Sequence, residues 1–141
     1  MKKTVLLSIR GTQRYEGQDP DVIELVTEGF MTQTAEGWEL CYEESALTGL
    51  EGVTTTFHIT EKQVVLQRTG KLRSQMVFRQ GKSHESLYQM PFGALLITVC
   101  AKQINWTLND QGGTVDLVYS INVENSAAGL VEYHLDVRPQ N

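Results

Sequence analysis

"GTVDLVYSINVENSAAGLVEYHLDVR", residues 113–138, decides the fold class. Val115, Leu117, Tyr119, Ile121 and Val123 alternate with Thr114, Asp116, Ser120 and Asn122, and Val118 alone breaks the polar side. After the glycine at 129, Val131, Tyr133, Leu135 and Val137 alternate with Glu132, His134, Asp136 and Arg138. A period of two places one set of side chains on each face of a strand, so this stretch reads as two antiparallel strands and the turn between them. The same alternation runs back along the chain through Leu95, Ile97 and Val99, through Val53, Phe57 and Ile59, and through Trp38, Leu40 and Tyr42. Glycines and prolines cut these runs at short intervals. The spacing predicts nine to eleven strands, near 3–12, 22–33, 37–45, 53–60, 63–69, 74–80, 84–90, 93–101, 103–109, 113–123 and 129–138. No window carries a helical stripe.

Many short antiparallel strands joined by tight turns form a sandwich or close into a barrel. Hairpins in unbroken succession favour an up-and-down barrel, and closure removes the exposed edges that template aggregation. The fold expected is therefore all-β, a single antiparallel, mostly up-and-down barrel of about 8–10 strands in one domain over residues 1–141. The chain's 141 residues, 40% of them apolar and 21% charged, suffice for one globular core.

Composition limits the partners. A net charge of −5 argues against general affinity for nucleic acid or for anionic membrane, which need positive charge to displace counterions. "TVLLSI" (residues 4–9) stops at Arg10, has no small-residue cleavage site after it, and reads as a strand and not as an export signal. With no export signal, a cytoplasmic location is expected. Cys41 and Cys100 form no CxxC and are expected as free thiols in a reducing compartment.

"LCYEESALTGLEGVTTTFHI", "VVLQRTGKLRSQMVFRQGKSHESLYQMPFGALLITV" and "NDQGGTVDLVYSINV", in that order between Leu40 and Val123, resemble the YwiB-like family of small uncharacterised bacterial proteins. The most specific pieces are Arg68-x-Gly70, then Phe78 and Gly81, then Tyr88-x-Met90-x-Phe92-Gly93. Ala101 departs from the pattern where a threonine is expected. The resemblance implies a calycin-like, lipocalin-like barrel and carries over no catalytic residue. The lipocalin G-x-W signature is absent, because Gly37 and Trp38 are adjacent.

Charge is distributed unevenly. From Tyr15 to Glu61 there are eleven carboxylates and no Lys or Arg; from Lys62 to His84 there are Lys62, Arg68, Lys71, Arg73, Arg79 and Lys82 and no carboxylate. Strands adjacent in sequence usually pair, so complementary blocks would favour the correct register. A sharper reading concerns Arg68. It shares a strand face with Val64 and Leu66, so if that face points into the barrel the guanidinium goes with it. A buried guanidinium keeps its charge and needs a carboxylate, a water network or an anionic ligand. Glu44, on the face of Tyr42, is one candidate partner, Glu43 becomes the candidate if that strand is bulged, and Tyr88 could add a hydroxyl. Arg79, which shares a face with Val77, is the remaining candidate for the lumen. Lys71, Arg73 and Lys82, beside the glycine turns, should be solvated.

Catalytic signals are weak. "GKSHE" (81–85) lacks the last glycine of G-x-S-x-G, and Ser83–His84 reads as a turn pair. Glu132, His134 and Asp136 share a face, which reads as a solvated outer surface and not as a metal site. No cofactor, metal or enzyme activity is expected. Phe78 beside the cations is thin support for stacking on single-stranded nucleic acid. Two functional readings stay open. One is a small-molecule binder taking an apolar or carboxylate-bearing ligand in the lumen, with Arg68, Tyr88, Glu44, Tyr42 and Arg79 as the binding candidates. The other is a packed barrel serving as a structural or protein-interaction module, with a homodimer as one form of it.

Overall fold

Alternating apolar residues become strands because only an extended chain can bury one face and leave the other wet. In the computed structural model, which describes residues 2–15, 17–45, 50–124 and 126–140, ten strands account for nearly all of the chain. They are β1 (Lys2–Arg14), β2 (Asp21–Gln33), β3 (Gly37–Glu43), β4 (Val53–Thr60), β5 (Val64–Gly70), β6 (Ser74–Phe78), β7 (Ser83–Met90), β8 (Gly93–Asn109), β9 (Gly112–Val123) and β10 (Ser126–Pro139). All belong to one antiparallel sheet of order β6-β5-β4-β3-β2-β1-β10-β9-β8-β7. The sheet curls until its two ends, β6 and β7, meet. The result is a nearly closed ten-stranded barrel. The stretch "TVLLSI" lies within β1.

The expected break between strands at 101 and 103 is a β-bulge within the single strand β8. Ala101 faces Tyr119 and Gln103 faces Val118, which leaves Lys102 as the extra residue. A bulge shifts the alternation by one position. Inward residues are therefore Ile97, Val99 and Ala101 before it and Ile104, Trp106 and Leu108 after it. The phase shift is visible in the sequence but resembles a turn. The loop expected at 46–52 falls partly on residues 46–49, outside the described residues.

Register stacks the interior in layers. Across β3, β4, β5 and β6, Trp38 faces Ile59, then Val64, then Phe78; one layer up, Leu40 faces Phe57, then Leu66, then Met76. Phe57, Phe78, Leu40, Leu66, Ile59 and Val64 are fully buried. Each such side chain contributes about 1.5–3 kcal/mol on leaving water. Phe57 packs on Tyr133 and Phe78 on Tyr119, with ring centroids 5.8 and 4.6 Å apart. Phe78 thus belongs to the core and offers no surface for stacking on a base. The indole of Trp106 donates to the Thr60 carbonyl at 3.1 Å and ties β8 to the far wall. This half of the barrel is filled by its own side chains, as small barrels often are.

The wall is incomplete in two places. β3 pairs with β2 only from Phe30 to Gln33, because the chain leaves β3 at Glu43. Gly29 sits where the two strands diverge, and a Cβ there would lie 2.6 Å from the Cys41 carbonyl oxygen. The second gap is the β6–β7 seam. One bridge, Arg73 with Gln89, closes its upper end through reciprocal hydrogen bonds of 2.8 and 2.7 Å. Lower down, the Val77 N–H donates to Nδ1 of His84 at 3.4 Å. His84 therefore closes a seam, and Ser83 beside it is exposed.

The complementary-block expectation does not hold. Among the described residues the ion pairs involve Arg10, Arg14, His58 and His134, and none of the six basic residues of 62–82. The reason is the strand order: β5 lies against β4, whose sequence VTTTFHIT carries no carboxylate. The acidic strand β2 lies against β1 instead, where Arg10 reaches Glu24 at 4.0 Å.

Candidate functional site

Above the two apolar layers the same register produces a polar one. Tyr42 faces Thr55, Thr55 faces Arg68, and Arg68 faces Ser74, all on inward positions. Alternation forces this outcome: Val64 and Leu66 are buried, so Arg68 must follow them inward. Glu44, one step beyond the end of β3, is 7% exposed and accepts a 2.5 Å hydrogen bond from the fully buried Thr55 hydroxyl. From the opposite wall come Tyr133 and Tyr119. Tyr133 lies across Gly11, its ring 3.8 Å from where a Cβ at that position would sit. Its hydroxyl is 3.5 Å from that of Tyr42.

This polar layer borders a cavity of about 420 Å³. Ile9, Leu25, Leu95, Ile97, Ile121 and Val131 supply apolar lining, and Arg68, Tyr42, Glu44, Tyr88, Tyr119 and Tyr133 supply the polar part. Ile23, which lines the cavity and is 51% exposed, marks the mouth at the end where β1 turns into β2. The barrel is therefore packed below and hollow above.

The electrostatics follow from this burial. Burial works against the charge on Arg68; the phenol oxygens of Tyr133 and Tyr42 and the Glu44 carboxylate around it act the other way, and the guanidinium stays protonated. Burial raises the Tyr42 hydroxyl far above the ordinary phenol range, and the neighbouring Tyr133 adds to the effect. Tyr119 and Tyr133 are raised by burial as well, with the Arg68 charge opposing. All three phenols are therefore neutral hydrogen-bond donors around a fixed cation. Arg68 as a residue keeps partial exposure because the β6–β7 seam opens on one side of it. Its Nε, however, has no accessible surface and no hydrogen-bond partner among the described residues.

Four of the five sequence candidates meet here: Arg68, Tyr88, Glu44 and Tyr42 all line the cavity. Arg79 does not. It is exposed, because Ser74, Met76 and Phe78 take the inward positions of β6 and leave Val77 and Arg79 on the outward parity. Lys71, Arg73 and Lys82 are exposed as expected. Tyr119 is one of the aromatic residues, with Trp38, Phe57 and Phe78, that could fill or line a lumen, and it lines this one. Thr55, Ser74 and Tyr133 were not singled out from the sequence. A signal existed for each, since all three continue an apolar inward alternation, but alternation marks a face and does not say which positions on it adjoin empty space. His134, on the outer face, pairs with Asp116 at 2.5 Å and with Asp136 at 3.3 Å. No cluster of three metal-ligating side chains with suitable geometry occurs among the described residues.

Comparison with known proteins places this architecture. The chain is 29% identical over 103 residues, 73% of its own length and 71% of the relative's, to the uncharacterized beta-barrel protein YwiB of Bacillus subtilis (strain 168). The crystal structure of ywiB protein from Bacillus subtilis superposes with a TM-score of 0.88, covering 99% of this chain and 94% of that one at 22% identity. The barrel is thus shared along the whole chain. The family described as "Domain of unknown function (DUF1934)" matches residues 7–136. That span runs from within β1 to within β10, and the chain belongs to that family.

Proposed function

We propose that the protein is a calycin-like binder of a small organic anion, with the ligand's apolar body in the upper cavity and its carboxylate against Arg68. The observation that carries this reading is the Arg68 guanidinium, charged, set among neutral tyrosines, with its Nε buried and unpartnered beside a cavity of about 420 Å³. That volume lies within the range of about 300–1,000 Å³ usual for small-molecule sites. A mostly apolar lining with a few convergent donors is also what such sites share. A barrel serving only as a packed module would fill its upper half as it fills its lower one. The reading is set in the cytoplasm, which the free thiols Cys41 and Cys100 suit.

Calorimetric titration tests it, with decanoate as the probe and 1-decanol as the uncharged control. Decanoate should bind saturably at one site per chain and more tightly than 1-decanol, and Arg68→Met should remove that preference. Absence of saturable decanoate binding, or a preference unchanged by Arg68→Met, would overturn it.

A further inference from the structure

Two buried side-chain atoms among the described residues lack a hydrogen-bond partner: Nε of Arg68 and Oγ of Ser74. They are not scattered. Arg68 on β5 and Ser74 on β6 are register partners, so the two atoms belong to facing side chains on the inner wall. Ser74 is 7% exposed. An unsatisfied buried polar atom is costly, and two on one cross-strand pair are rarely accidental.

The place is special in a second way. Both residues border the β6–β7 seam, where the ladder lapses between the Arg73–Gln89 bridge above and the Val77–His84 contact below. Arg68 lines both the seam and the main cavity. No carboxylate lines the seam among the described residues, and Arg73 stands at its edge.

Resting on the reading of the cavity as an anion-binding lumen, we infer that the seam holds the ligand's head. Neither atom has accessible surface in this structure, so both side chains turn toward the seam to let the carboxylate bridge them, one oxygen on the guanidinium and the other on the serine hydroxyl. Both groups can donate, and a carboxylate offers two acceptor oxygens in one plane. An alcohol cannot accept from both in the same way. Ser74 is then a specificity-determining residue: it selects a carboxylate over a neutral polar head and leaves the apolar body to the cavity wall. The chemical class is a monocarboxylate with an aliphatic or otherwise apolar body.

Titrations of decanoate and 1-decanol into the parent, Ser74→Ala, Ser74→Thr and Arg68→Met, each first checked for its β-rich circular dichroism, separate the possibilities. Loss of a hydrogen bond to a charged group should weaken decanoate about tenfold or more in Ser74→Ala. Binding of 1-decanol should stay within roughly twofold of the parent, a difference too small to represent a lost hydrogen bond. Ser74→Thr, which keeps the hydroxyl, should retain most of the decanoate affinity. If Arg68→Met loses decanoate while Ser74→Ala keeps it, the bridging head is wrong and the lumen reading stands. If Ser74→Ala weakens both probes equally, serine acts through packing, and the bridge is again overturned. If decanoate binds none of the proteins, both readings fall together.

Discussion

Arg68→Met removes a guanidinium from a cluster that also holds the Glu44 carboxylate, and the two charges line one cavity. Glu44 is 7% exposed, so its charge has little access to solvent. Glu44 keeps the Thr55 hydroxyl in the variant, so losing the nearby opposite charge costs at most the roughly 3–5 kcal/mol of a broken buried pair. Part of this is offset, because the thioether replaces a group whose Nε lacked a partner, a relief of about 1–3 kcal/mol. The net expectation is a loss of roughly 0–4 kcal/mol at neutral pH. With a urea m-value of about 2 kcal/mol/M, a loss in the middle of that range moves the midpoint down by about 1 M. Arg68→Met combined with Glu44→Gln removes both charges and should return to within about 1 kcal/mol of the parent, giving a coupling energy of about 2–3 kcal/mol. Urea denaturation of the four proteins of this cycle measures the coupling directly. If Glu44→Gln changes stability equally with Arg68 present and absent, the two charges do not sense each other, and the account of the polar layer is wrong.

Thr55→Val removes a fully buried hydroxyl that donates to Glu44, and should cost about 1–3 kcal/mol by urea denaturation; a neutral result would mean that the carboxylate does not depend on this donor. His134 is raised above its ordinary value of 6.5, first by its hydrogen bond to Asp116, with burial opposing and Asp136 assisting. A raised folded value means stabilisation that is complete below the ordinary histidine value and lost as pH rises through the folded one. With its side chain 41% exposed, solvent screening keeps the effect under about 1 kcal/mol. The stability difference between the parent and His134→Gln should therefore narrow from about pH 5.5 to pH 8, and a flat difference would refute the assignment. Cys41 and Cys100 should both react with a thiol reagent in denatured, non-reduced protein, whereas a mass two hydrogen atoms lighter with no free thiol would show a disulfide.

The sequence by itself determined the strands and which face of each turns inward. A period of two is a local property: Val64 and Leu66 take Arg68 inward whatever the neighbouring strands are, and Ser74 goes with Met76 and Phe78 for the same reason. Closure into a barrel was legible for a related reason, since successive hairpins leave edges that must meet. Strand order then decided matters that alternation cannot express. The acidic and basic blocks are neighbours along the chain yet do not pair, because β4, which faces β5, is neutral. The bulge at Lys102 reads as a turn until β9 shows that pairing continues on both sides of it. Whether the interior is filled or hollow depends on how many large side chains from opposite walls reach the same height. Phe57, Phe78 and Trp106 converge below, while above them the small Gly11 is among the residues bordering the cavity. That is a sum over residues far apart in sequence, fixed by register and curvature, and only the tertiary structure could decide it.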